Sequence, residues 1–135
     1  LVQSRYINDQ NLLQLRSGNY LNFTKSLMKQ RQLMNQPPYS FEATIKAVSP
    51  NAQTNLDMLI QTRKFIDATN CIVIGPIPAM QSKVRGSYHH HLVIQASTRT
   101  GLNKLLADLA NSLTADKNKI FKKVRWSINI DPTEF

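Results

Sequence analysis

Three consecutive histidines, His89, His90 and His91, lie inside the stretch SYHHHLVIQA. Imidazoles ligate metals, move protons and, when charged, contact phosphate. In an extended strand the side chains alternate, so His89 and His91 share one face and His90 takes the other. Two histidines at that spacing can hold part of a metal's coordination shell. A zinc site needs three or four protein ligands, and Cys71 lies on a different segment with no carboxylate close in sequence to His89 or His91. We therefore expect no metal. The run is internal and in register with a strand, which speaks against a tag. Two readings remain open: polar residues on a solvated sheet face, or part of a nucleic-acid surface.

The surrounding charge favours a polyanionic partner. The chain has 135 residues with 17 Lys+Arg against 8 Asp+Glu, a net charge of +9. At this length that points to nucleic acid or an acidic protein segment. Hydrophobic residues make up 41%, enough for a core and too many for a disordered chain. Cys71 is the sole cysteine, which excludes an internal disulfide and a thiolate zinc site and fits a reducing, cytoplasmic setting. No apolar run approaches the roughly 20 residues of a membrane span, so no membrane role is expected. The opening LVQSRYINDQ lacks both secretory character and an initiator Met, and reads as a piece cut from within a strand.

The elements that position these residues follow from periodicity. Residues 1–4 read as a strand end. Asn8 or Asp9 caps a short helix through Arg16, closed by Gly18. Tyr20, Phe23, Leu27 and Met34 predict a second helix, stopped at Pro37-Pro38. After NQPPYS the character changes. FEATIKAV alternates as a half-buried strand. Ser49-Pro50 starts a helix over about 51–68. CIVIG reads as a short buried strand, and GPIPAMQSKVRG as a long loop with Gly75-Pro76 and Gly86 as turn formers. SYHHHLVIQA is the third strand. Ser97 caps a helix whose Leu102, Leu105, Leu106, Leu109 and Leu113 form an apolar stripe. KKVRWSINI is the last strand, with Val124, Trp126, Ile128 and Ile130 facing in.

The order β-α-β-β-α-β predicts an α+β, ferredoxin-like two-layer sandwich, preceded by a short helical segment. Right-handed crossovers put strands one and three at the centre, flanked by four and two. His89 and His91 then lie on the open face beside Lys46 and Thr44, with Lys123 and Arg125 on strand four and Lys83 and Arg85 on the preceding loop. With Tyr88 at the strand's start, these are the candidate DNA-binding residues: Lys83, Arg85, Tyr88, His89, His91, Lys123 and Arg125. An RNA reader of the sheet-face kind wants exposed aromatics on its central strands; strand one offers Glu42, Thr44 and Lys46 instead. Asp131 and Glu134 read as a solvated C-terminal turn. No phosphate-binding loop, dinucleotide fingerprint or nucleophile elbow is present, so no catalysis by this chain is expected.

Three stretches, LMNQPPYS, VIGPIPAMQSKVRGSYHHHLVIQ and VRWSINIDPTEF, resemble the C-terminal end of the PriA family, the bacterial primosomal protein N′ or replication-restart DNA helicases. The resemblance runs the whole chain in order. It is most specific in Gly75-Pro76-Ile77-Pro78-Ala79 and from Trp126 to Pro132. Where this chain has His89 and His90, family members often carry a basic residue and an aromatic. The resemblance implies that residues 1–38 end the second helicase lobe and that 39–135 form the C-terminal domain, similar in fold to a small ribosomal-subunit protein. It implies a parent that uses ATP, Mg and Zn, binds branched DNA at stalled forks, unwinds it 3′ to 5′ and helps reload the replicative helicase with other primosome proteins. For this segment it implies contacts with branched or forked DNA and with the acidic tail of single-stranded-DNA-binding protein, through Arg99 and Asn103. Two rivals stand beside it: a domain that only docks on the helicase lobes, and a stand-alone RNA-binding domain of ribosomal type.

Overall fold

The computed structural model describes residues 3–6, 8–66, 71–115 and 119–132. It divides into two units, Leu1–Tyr39 and Ser40–Phe135. In the first unit, Asp9 caps α1 (Gln10–Arg16), its carboxylate accepting from the Asn11 and Leu12 amides at 2.8 and 3.1 Å. Gly18, at φ +72°, lets the chain turn, and Asn19 caps α2 (Tyr20–Leu33). Arg31 donates to the Pro37 carbonyl at 3.0 Å, tying the end of α2 to the diproline. Neither helix buries a residue fully among those described. The expected N-terminal strand is absent at Gln3 and Ser4; residues 1–2 lie outside the described residues.

The second unit runs β1 (Phe41–Ser49), α3 (Ala52–Lys64), β2 (Cys71–Val84), β3 (Ser87–Ala96), α4 (Arg99–Ala115), α5 (Lys119–Lys123) and β4 (Arg125–Ile130). The sheet is antiparallel in the order β2-β3-β1-β4, the arrangement expected from right-handed crossovers. Helices cover one face, giving an α+β two-layer sandwich of the ferredoxin-like kind. Ala43, Ile45 and Ala47 of β1 and Leu92 and Ile94 of β3 meet Met58 and Leu59 of α3 and the leucine stripe of α4. Each fully buried large side chain there contributes about 1.5–3 kcal/mol, so the alternation in FEATIKAV and the leucine spacing in α4 set the layer order.

Several expectations need correction. The Pro-rich segment is strand, not loop: β2 runs through Pro76 and Pro78 to Val84. An edge strand tolerates proline because its outer side has no ladder partner, and two register shifts absorb the misfit. Gly75 marks such a shift rather than a turn. Its φ is +106°, and a Cβ there would lie 3.0 Å from the His91 carbonyl oxygen. The α3 cap is Asn51, with Ser49 supporting the turn before it, and α3 ends at Lys64. Thr98, not Ser97, caps α4, accepting from the Gly101 amide at 3.2 Å. Residues 119–123 are helical, so β4 starts only at Arg125.

Candidate nucleic-acid interface

The two-residue turn Arg85-Gly86 closes the β2–β3 hairpin with φ of +48° and +82°. Two positive φ values in a row are what a type I′ turn requires, and that turn matches strand twist. Below it Lys83 pairs with Tyr88, and the Lys83 ammonium lies 4.9 Å from the Tyr88 ring centroid. Such a contact restrains a side chain that would otherwise be free in solvent. The ladder then breaks. Between the pairs Lys83–Tyr88 and Pro78–His90, residues 79–82 face the single residue His89, and this bulge leaves Met80 almost wholly exposed.

Register assigns the faces. Val48 of β1 is flanked by His89 and Arg125, and Lys46 by His91 and Ser127, all on the face away from the helices. Tyr88 pairs with Ser49 and shares the other parity with Lys83. Lys83, Arg85, Tyr88, His89 and Arg125 therefore gather at the end of the sheet where β1 stops and β3 and β4 begin, but not on one face. Lys123 closes α5 instead of alternating with Arg125 on β4.

His91 is the clearest miss. It is on the expected face but only 2% exposed, and Val93, Gln95 and Thr44 on that face are buried with it. Gln95 donates to Ser40 and Glu42 at 3.1 and 3.0 Å. Alternation tells which face a residue takes, not whether that face is wet. The signal was the unbroken Leu92-Val93-Ile94, a run typical of a strand buried on both sides. Burial first, then Lys46 and His90, lower the His91 pKa from its ordinary value. Burial and His89 lower that of His90, whose Nδ1 lies 3.4 Å from Asn55 Nδ2, the same group that donates to the Tyr88 carbonyl at 2.8 Å. Both imidazoles are buried, and that burial disfavours their charged forms. Among the described residues no group of three His, Cys, Asp or Glu side chains could hold a metal ion.

Arg99 and Asn103, one turn apart on α4, are both exposed. Arg99 already has a carboxylate: Nη1 donates to Asp131 Oδ2 at 2.5 Å. Its guanidinium also lies 4.7 Å from the Phe41 ring centroid. Asp131, expected to be a solvated residue of the C-terminal turn, is instead held at φ +49° with its amide donating to the Glu42 carbonyl. Glu134 lies outside the described residues.

Comparison with known proteins adds the family. The sequence profile of the Primosomal protein N C-terminal domain matches residues 32–133. This chain belongs to that family. The replication restart protein PriA of Buchnera aphidicola subsp. Acyrthosiphon pisum is 34% identical over 97% of this chain and 19% of its own length. That of Haemophilus influenzae is 29% identical over 99% of this chain and 18% of its own. The chain thus spans about a fifth of the length of these relatives. A designed protein, Foldit4, matches in fold alone, with a TM-score of 0.51 and 9% identity over 70% of this chain and 99% of its own.

Proposed function

We propose that this chain is the DNA- and partner-contacting C-terminal module of a replication-restart helicase, with residues 1–38 as the end of the second helicase lobe. The parent recognises branched DNA at stalled forks and unwinds it 3′ to 5′ with ATP. Zinc and Mg belong to its other domains. The observation that carries this reading is the gathering of Lys83, Arg85 and Arg125 at one end of the sheet, beside Tyr88 and His89, in a chain of net charge +9. These groups neutralise phosphates without reading bases. Arg99 pairs with a carboxylate on the acidic tail of single-stranded-DNA-binding protein, and Asn103 hydrogen-bonds it; the exposure of both side chains and the position of Arg99 in the first helical turn support this. The test is titration of the chain with forked, duplex and single-stranded DNA at two salt concentrations. Replacing Lys83 and Arg85 by Ala should shallow the salt slope on duplex DNA by about two; a wild-type slope removes the hairpin from the site.

One observation favours a second reading, docking on the helicase lobes without DNA contact. Ile72, Ile74 and Ile77 of the edge strand β2 are all exposed, an apolar strip suited to a protein partner. Ile74→Glu abolishing unwinding by the parent, with DNA affinity intact, is the outcome that reading requires.

A further inference from the structure

The densest run of cations outside the hairpin is on α5. In Lys-Ile-Phe-Lys-Lys, residues 119–123, Phe121 is buried and Ile120 half-buried, while Lys119, Lys122 and Lys123 are all exposed. Lys119 and Lys123 stand four apart, where like charges repel. Neither α5 nor the last seven residues of α3 contain an acidic side chain to offset them. The two helices pack together, and the Phe65 ring at the end of α3 lies 6.4 Å from that of Phe121 at an angle of 56°. Phe65 is 45% exposed and follows the exposed Lys64. An aromatic ring braced by a buried ring, half-exposed, with Lys64 next to it in sequence and three exposed lysines on the helix that braces it, has both parts of a single-strand platform: a π-face for a base and cations for its phosphates.

We infer that Phe65 with Lys119, Lys122 and Lys123 forms a second nucleic-acid contact, specific for single-stranded DNA and separate from the hairpin. This rests on the reading of the chain as a DNA-binding module and says how it engages a branch. The hairpin lies on edge strand β2, whereas α5 leads directly into β4, the opposite edge. One domain therefore offers two separate elements, a hairpin for a duplex arm and the α3–α5 surface for an unpaired strand. Lysines clustered only to complement helix C-termini need no exposed aromatic beside them.

The experiment uses the 135-residue chain with two separate probes, a blunt duplex and oligo(dT), read by fluorescence anisotropy over a salt series. Lys119→Ala/Lys122→Ala/Lys123→Ala should shallow the salt slope on oligo(dT) by about two, at about 0.7 per lost contact, and leave the duplex slope alone. Phe65→Leu should weaken oligo(dT) binding by roughly five-fold or more, and Phe65→Trp should retain it. The lysines are solvent-exposed, so the triple variant keeps its fold even where Phe65→Leu lowers the melting temperature. An unchanged oligo(dT) slope in the triple variant overturns the inference. A wild-type duplex slope in Lys83→Ala/Arg85→Ala, with the oligo(dT) effects as expected, overturns the hairpin assignment alone. No binding of either probe by the wild-type chain overturns both.

Discussion

Asp131→Asn is the most discriminating change for the Arg99 site. Asn tolerates the left-handed backbone almost as readily as Asp, so φ +49° and the amide bond to Glu42 survive and only the charge is lost. The ion pair joins side chains 44% and 53% exposed, and such pairs contribute about 0.2–1 kcal/mol. Asp131→Asn should therefore destabilise the chain by no more than about 1 kcal/mol. If a tail carboxylate takes Arg99, it must first displace Asp131, so the same change should tighten tail-peptide binding by roughly 1.5- to 5-fold. Arg99→Ala loses the ion pair and the Phe41 contact, together about 0.7–2 kcal/mol. It regains about 0.3–1 kcal/mol because a cation in the first turn opposes the helix dipole. Fold stability should fall by under about 2 kcal/mol, while tail binding drops by about 1.5–3 kcal/mol, the worth of a hydrogen bond to a charged group. The assays are thermal melts of the chain and peptide anisotropy on the full-length parent. Weaker tail binding in Asp131→Asn would show that Asp131 is a partner and not a competitor. Unchanged binding in Arg99→Ala would place the site elsewhere.

Other outcomes follow from the fold. Trp126, half-buried against the core opposite Ala47, should cost about 2–3 kcal/mol as Trp126→Ala, below the range for a fully buried ring; an unchanged melting temperature would contradict its packing role. Gly75→Ala must hold φ +106° with its Cβ against the His91 carbonyl, so a loss of about 1–3 kcal/mol is expected in urea unfolding, and a neutral result would mean that β2 shifts freely. His90 and His91 have lowered pKa values in the fold, so the unfolded chain binds more protons as the solution acidifies. Their contribution is complete above about pH 6.5 and is lost below it, with a slope of at most about 1.4 kcal/mol per pH unit for each group. The urea midpoint should drop on acidification and do so less in His91→Gln; a flat wild-type profile refutes the assignment.

The sequence was most legible where one physical constraint acted. Alternation in FEATIKAV and RWSINI placed every side chain on its observed face, because a one-residue slip would expose the whole apolar set. The α4 stripe and the crossover rule then settled the sheet order. The failures came where two constraints competed. Pro76 and Pro78 argue for a loop wherever a strand is central, and become acceptable once β2 is known to be an edge, which only the assembled sheet reveals. Lys122 and Lys123 continue the β4 pattern on paper, but Phe121 is drawn into the core beside Phe65 and takes the backbone into a helical turn. Arg99 looked short of a carboxylate because Asp131, 32 positions away, reaches it only through the return of β4.

These same details bear on the proposed nucleic-acid contact. A sheet that reads bases sets exposed aromatics on its two central strands. Here β1 and β3 carry Thr44, His91, Val93 and Gln95 on the face away from the helices, all buried, and no aromatic among them. That part of the two central strands is closed to base stacking. Apart from the half-buried Lys46, the cations lie at its margins: Lys83 and Arg85 on the hairpin, Arg125 at the start of β4, and the α5 lysines beyond. Charges spread along a rim touch phosphates and set orientation but carry no sequence information. Recognition on these terms depends on where strands diverge, not on which bases they contain. Affinity should therefore vary with the geometry and salt of a branched probe and stay level across base composition. A fork whose arms are permuted in sequence but kept in shape should bind equally well; a strong preference between such forks would contradict the closure of those central strands.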